Sequence, residues 1–267
     1  MRRRITVRRR PRRLRCLRCL PMALLAILPL AGAAAFAGAV PAAMADELLT
    51  VRGHAEGVKV GDRTQPPRDT DVKIWLGADR MRRDEGATTF LVRLDQHKLF
   101  IVNHAERSYT SVDLPIEWMK LVPPRDQESF SRFMTDNQIV SKVTPTTDTK
   151  AFHGWNCHRV QIDLTNNQGL KVAAQWWLTK DLPFAAAYNR LSASLASLQI
   201  STVEWSRKMA QLDGFPVYQD TTVTMGGATI KTQEEVTSVD TREAPAGTYD
   251  VPAGFKLTPF DPFHPQQ

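Results

Sequence analysis

Apolar and polar residues alternate in short runs along most of this chain. In DVKIWLG, Val72, Ile74 and Leu76 share one side of an extended backbone, because successive strand side chains point to opposite faces. TTFLVRL repeats the pattern with Phe90, Val92 and Leu94, and KLFIVN follows after the turn Asp95-Gln96-His97. SYTSV comes next, after Ala105-Glu106-Arg107. Gaps this short leave no room for crossover helices, so neighbouring strands must run antiparallel. The pattern returns in CHRVQIDL and LKVAAQWWLT, which flank a polar turn ending in Gly169. It returns again in VYQDTTVTM and ATIKTQEEVTSV around Gly226-Gly227, a two-residue turn whose glycines can both take positive φ. These runs predict about nine to eleven strands.

Two stretches change period. After Pro123-Pro124, with Asp126 placed to cap, Phe130, Phe133 and Met134 recur at i, i+3 and i+4. In PFAAAYNRLSASLASLQI, Phe184, Ala187, Leu191, Leu195 and Leu198 make one apolar stripe. That stripe continues through Val203, Met209 and Leu212 to a stop at Gly214, which predicts one long helix. Such helices need an apolar surface, and the sheet is the one element able to offer it. FLV, FIV and AAQWW are apolar on both faces, as expected of strands covered on one side and curved around something on the other. The expected fold is mainly β (α+β): a curved, unclosed antiparallel barrel with two helical insertions packed across its concave face. A closed barrel with helices outside is the alternative.

Charge changes meaning once the N-terminus is set aside. The chain opens with ten arginines and no acid in its first 18 residues, followed by an uncharged run from Cys19 to Ala45 that ends Ala43-Met44-Ala45. Basic, apolar and small-x-small segments in that order are the parts of a secretory signal peptide. The expected organisation is a signal peptide over 1–45, a single domain over 46–257 and a Pro-rich tail over 258–267. Cleavage after Ala45 would leave the protein in the periplasm or cell envelope. Export could follow the general or the twin-arginine route, although Arg15 stands where the latter motif wants an apolar residue. Removing those ten arginines from the 35 basic residues leaves 25 against 28 acidic ones, a net of −3 instead of +7. A mildly acidic domain with scattered bases is not a nucleic-acid binder. Cys16 and Cys19 leave with the leader, so Cys157 has no disulfide partner within the chain.

HGWNCHR, residues 153–159, gathers two histidines and that cysteine. It supplies at most three ligands from one segment, and in a strand Cys157 and His158 would point to opposite faces. The stretch is therefore read as a turn into a strand with a packed thiol, and no metal or cofactor is expected. The run Asp79, Arg80, Arg82, Arg83, Asp84 and Glu85 is read as a solvated strand end. No nucleophile elbow, zincin helix, phosphate loop or dinucleotide glycine pattern occurs.

KIWLGADRMRRDEG followed by RSYTSVDL resembles a family of exported bacterial proteins defined by a domain of unknown function. The resemblance rests on a Gly-x-x-Arg-x-Arg step at Gly77, Arg80 and Arg82, and on Tyr109. It rests further on Pro145-Thr146, on Gly154, Trp155 and Cys157, and on WWLTKDLP and TYDVPAGFKL, spanning residues 71–257. That family is similar to the periplasmic lipoprotein carriers, which implies an unclosed barrel with a helical lid over an apolar cavity. The carriers open with a helix, whereas this domain opens with the strand-like LLTVRGHAEGVKV. The resemblance also implies a lid-holding arginine, for which Arg80 and Arg82 are the candidates.

The leading functional expectation is a non-enzymatic binder of an apolar small molecule, a lipid or a lipidated protein, working at or near a membrane surface. Its cavity would be lined by Val92, Leu94, Ile101 and Trp176 from strands, with Leu191 and Leu195 from the helix. An envelope interaction or stress-sensing module without a cavity is the alternative, and a hydrolase assembled from distant residues the third.

Overall fold

The computed structural model describes residues 45–60 and 63–260. Residues 1–44 of the predicted signal peptide and 261–267 of the predicted tail lie outside that range.

The described residues open with a strand, β1 (Glu47–Ala55), and a short hairpin, β2 (Val58–Val60) and β3 (Arg63–Gln65). A meander follows: β4 (Arg68–Leu76), β5 (Arg80–Glu85), β6 (Thr88–Arg93), β7 (Lys98–Asn103) and β8 (Ser108–Asp113). Helices α1 (Trp118–Leu121) and α2 (Gln127–Asp136) lead to β9 (Val140–Phe152), β10 (Trp155–Thr165) and β11 (Lys171–Thr179). Helices α3 (Ala185–Ala196) and α4 (Val203–Met209) precede β12 (Phe215–Met225), β13 (Ala228–Thr241) and β14 (Lys256–Thr258). Twelve strands form one curved, unclosed sheet in the order β14-β8-β7-β6-β5-β4-β1-β13-β12-β11-β10-β9. All pairings are antiparallel except β14 on β8. The fold class is the expected one.

Alternation decides which face is buried. Val72, Ile74, Leu76, Met81, Val92, Leu99, Ile101 and Val112 come from successive strands, point to one face and pack in a single core with Phe184, Tyr188 and Leu191 of the α3 region. A second cluster joins Val160, Ile162, Ala174 and Leu178 of β10 and β11 to Trp205 of α4. Helix α2 buries Phe130 beside Trp118 and Val122, in a third cluster that touches Ile200 and Val203.

Three features depart from the expectations. The stretch over β9 reads as polar and carries Pro145, yet it is the edge strand of the sheet, where a missing N–H is tolerated. Its register on β10 slips beside that proline, from His158↔Thr149 to Val160↔Pro145. The expected long helix is broken between α3 and α4. Ser197 Oγ donates to Ser194 O (2.6 Å) and Thr202 Oγ1 donates to Ala196 O (2.6 Å), so side chains take carbonyls that a continuing helix would bond through its backbone. The β-branched residues Ile200, Thr202 and Val203 disfavour propagation further.

The third departure is on the convex face. Leu91 and Val102 are fully buried although they alternate with core residues. The segment from Arg242 to Thr258 lies along this face. Arg82 Nη1 donates to Thr248 O (3.2 Å) and Arg93 Nη1 to Tyr249 O (3.0 Å). His104 meets the Phe255 ring edge-on at 5.6 Å. Tyr249 donates its hydroxyl to Asp46 Oδ1 (3.0 Å), and Asp46 Oδ2 accepts from Ala244 N (3.2 Å). Asp46 is 6% exposed, and Arg80 adds a 3.5 Å contact while its guanidinium stacks 4.5 Å above the Tyr249 ring. Gly77 permits this node, because a Cβ there would stand 2.8 Å from Asp46 Oδ1 and 2.9 Å from Arg80 Cγ. The Gly-x-x-Arg step is thus a latch for the C-terminal segment.

Candidate binding site beneath α3

On β5, Met81, Arg83 and Glu85 face the concave side, since Leu76 pairs with Met81 and Ile74 with Arg83. Arg83 forms ion pairs with its neighbour Glu85 and, at 3.3 Å, with Glu234 of β13. Three strand steps separate β5 from β13, about 14 Å on a flat sheet. The contact therefore reports how strongly the sheet curls. The residue of β1 opposite Glu234 is Gly53, so no β1 side chain stands between them. The Arg83 side chain is 15% exposed. Burial acts to lower its pKa, but Glu234, Tyr188 and Glu85 together hold it above the ordinary guanidinium value.

Helix α3 roofs this cluster. Its Tyr188 is buried with its ring edge-on to Phe215 at 4.7 Å. Burial raises the Tyr188 phenol above its usual pKa, against the opposing pull of Arg83. Asn189 is 1% exposed, and its Nδ2 donates to Leu212 O (3.0 Å) and Gly214 O (2.9 Å). Those two bonds fix the amide, and its Oδ1 is buried with no partner. Gly214 is required at that turn, because it sits at φ +133 and a Cβ would lie 2.8 Å from Thr179 O. The Trp176 indole packs edge-on to Trp205 at 5.6 Å, and its Nε1 is likewise buried without a partner.

Two clefts share the Arg83–Glu85–Glu234 cluster. One, of about 280 Å³, runs under α3 between Trp176, Asn189, Leu195, Met209 and Pro216. The other, of about 580 Å³, is lined by Arg68, Asp71, Thr88 and Phe90.

The residues expected to line one cavity are distributed among three places. Trp176 and Leu195 meet at the α3 cleft. Leu94 lines a separate cleft of about 390 Å³ with Arg190 and Ala193. Val92, Ile101 and Leu191 are 0%, 5% and 0% exposed and pack in the closed core. Arg80 and Arg82, the candidate lid-holding residues, engage the C-terminal segment on the convex face instead. Arg190 of α3 reaches the β4–β5 link, where its Nη2 donates to Ala78 O (3.3 Å), and Arg83 of β5 lines the cleft beneath the helix. Glu234 and Asn189 were not singled out by sequence, and Arg83 appeared there only within a charged run read as a solvated strand end, whereas its side chain is 15% exposed. Strand parity was the available signal for Arg83, which stands two residues from the core residue Met81.

HGWNCHR is a turn into a strand. His153 and Gly154, at φ 50 and 90, form the two-residue link between β9 and β10. His153 Nε2 lies 2.9 Å from Glu235 Oε1. Cys157 is buried, with Sγ 3.6 Å from Trp155 O, and burial pushes its thiol pKa up. Among the described residues no three His, Cys, Asp or Glu side chains converge as a metal site would need.

A family profile described as a domain of unknown function (DUF4412) matches residues 62–255, and the chain belongs to that family. No curated protein matches the sequence. Solved structures that the chain overlaps include PNGF-II, at 11% identity and TM-score 0.36, where the overlap covers 80% of this chain and 31% of that one. This chain therefore spans about a third of that protein's length. A DUF1329 family protein from Desulfovibrio piger overlaps 80% of this chain and 92% of its own, at 9% identity and TM-score 0.30. A putative outer membrane lipoprotein-sorting protein domain from Vibrio parahaemolyticus overlaps 77% of this chain and 89% of its own, at 6% identity and TM-score 0.29.

Proposed function

We propose that this is a non-enzymatic protein of the periplasm or cell envelope that holds an apolar chain, from a lipid or a lipidated partner, in the cleft under α3. One observation carries the reading. The sheet and the helical layer close tightly around Leu191 but leave a cleft one turn further along the same helix, at Leu195, with Trp176, Met209 and Pro216 on its walls. Clefts with apolar walls and a few fixed polar groups are the usual form of a small-molecule site. The domain then comprises residues 46–257, preceded by a leader removed after Ala45.

The test is titration of the exported chain with dodecanol, followed by tryptophan emission and by calorimetry. Micromolar or tighter binding, with an emission change lost in Trp176→Phe while the heat of binding persists, is the expected outcome. Absence of a binding heat would sink the reading. A second reading, an interaction module whose concavity is filled by its own side chains, draws on the closed packing of Val92, Ile101 and Leu191. It would take over in that event.

A further inference from the structure

The polar end of the α3 cleft selects the head of its ligand, and this inference rests on the proposed apolar-chain site. Arg83, Glu85 and Glu234 are the charged residues lining that cleft, two carboxylates against one guanidinium. Both carboxylates are already engaged by Arg83. The adjoining cleft adds Arg68 and Asp71, one charge of each sign, so its excess is again a single negative charge. An anionic head would have to displace a glutamate from Arg83 and leave three acidic groups crowded in a partly desolvated space, which like-charge repulsion opposes. The fixed neutral polar atom points to the same chemistry. Asn189 spends both amide hydrogens on Leu212 O and Gly214 O, which leaves its buried Oδ1 free to accept. A group that carries positive charge and several N–H donors matches the chemistry of these acceptors, and a primary ammonium has three. Tyr188 and Trp176 add aromatic surface suited to a cation.

We infer that the cleft under α3 takes an amphiphile with a primary ammonium head, bound by Asn189 Oδ1 and the carboxylates of Glu234 and Glu85, with its chain along Trp176, Leu195 and Met209. An alcohol of equal chain length offers one hydroxyl hydrogen and no charge, so it gains the apolar wall and a single neutral hydrogen bond. A quaternary ammonium supplies the charge but no hydrogen for Asn189.

Calorimetric titration of the exported chain at neutral pH, below micelle formation, distinguishes these heads at constant chain length. Dodecylamine should bind about tenfold or more tighter than dodecanoate, dodecanol or dodecyltrimethylammonium, the scale of a charge-assisted hydrogen bond. Glu234→Gln should weaken amine binding about tenfold, toward the affinity of dodecanol. The comparison on the unaltered chain decides the matter if that variant does not fold. Equal affinities, or a preference for dodecanoate, would overturn the ammonium site while leaving the apolar-chain reading in place. A lack of binding by all four removes both.

Discussion

Single atoms set the latch on the convex face. The Asp46 carboxylate is buried and depends on the Tyr249 hydroxyl, the Ala244 amide and Arg80 for its hydrogen bonds. Tyr249→Phe removes one donor without changing ring volume, so the carboxylate is left short of a partner. The expected cost is about 1–3 kcal/mol in urea unfolding, and an unchanged midpoint would mean that the latch carries little. Sequence showed Gly77, Arg80 and Arg82 as a motif, and the family resemblance made the two arginines candidates for holding a lid. It could not show Asp46 or Tyr249 beside them, because 203 positions separate those two residues in the chain. Arg83 was hidden differently. It lies within a run of charges that looks solvated, and only its parity with Met81 marks it as inward-facing.

Helix α3 divides its residues between core and cleft. Leu191 is sealed among strand side chains, whereas Leu195 lines the space beside Trp176. Leu191→Ala should therefore destabilise by about 2–5 kcal/mol, the range for a large buried aliphatic. Leu195→Ala should cost clearly less stability and weaken dodecanol binding more than Leu191→Ala does. Chemical denaturation of both variants, paired with calorimetry, checks this. A Leu195→Ala variant that binds normally would show that the cleft is not the site. The meander and the apolar stripe of α3 were legible because period-two and i, i+3, i+4 patterns report directly on which face is buried. Strand β9 was not, since an edge strand with a proline at its register slip lacks that alternation. The break between α3 and α4 was missed because apolar periodicity continues across it while the hydroxyls of Ser197 and Thr202 take the helix carbonyls.

Over the whole molecule, titration offers a test of how the protein is packed. Tyr188, Tyr218 and Tyr249 all hold their phenols above the ordinary value, chiefly through burial. In the unfolded chain each would ionise near pH ~10. The unfolded state thus releases protons first, so stability is complete below that pH and is lost as the pH rises beyond it. The urea midpoint should stay level from neutrality to about pH 9 and fall by about pH 11. A midpoint that holds at the higher pH would show these rings to be less buried than described. The large curved sheet could be anticipated from alternation because every strand contributes to it locally. The site could not, because curvature brings β5 and β13 together across two intervening strands. If the cleft beneath α3 carries an apolar chain, native mass spectrometry of the protein isolated from the cells that express it should show that chain bound. The expected result is a population heavier than the bare chain by the mass of one amphiphile, lost when Leu195 is replaced by alanine. A single species at the bare mass, before and after that substitution, would contradict it.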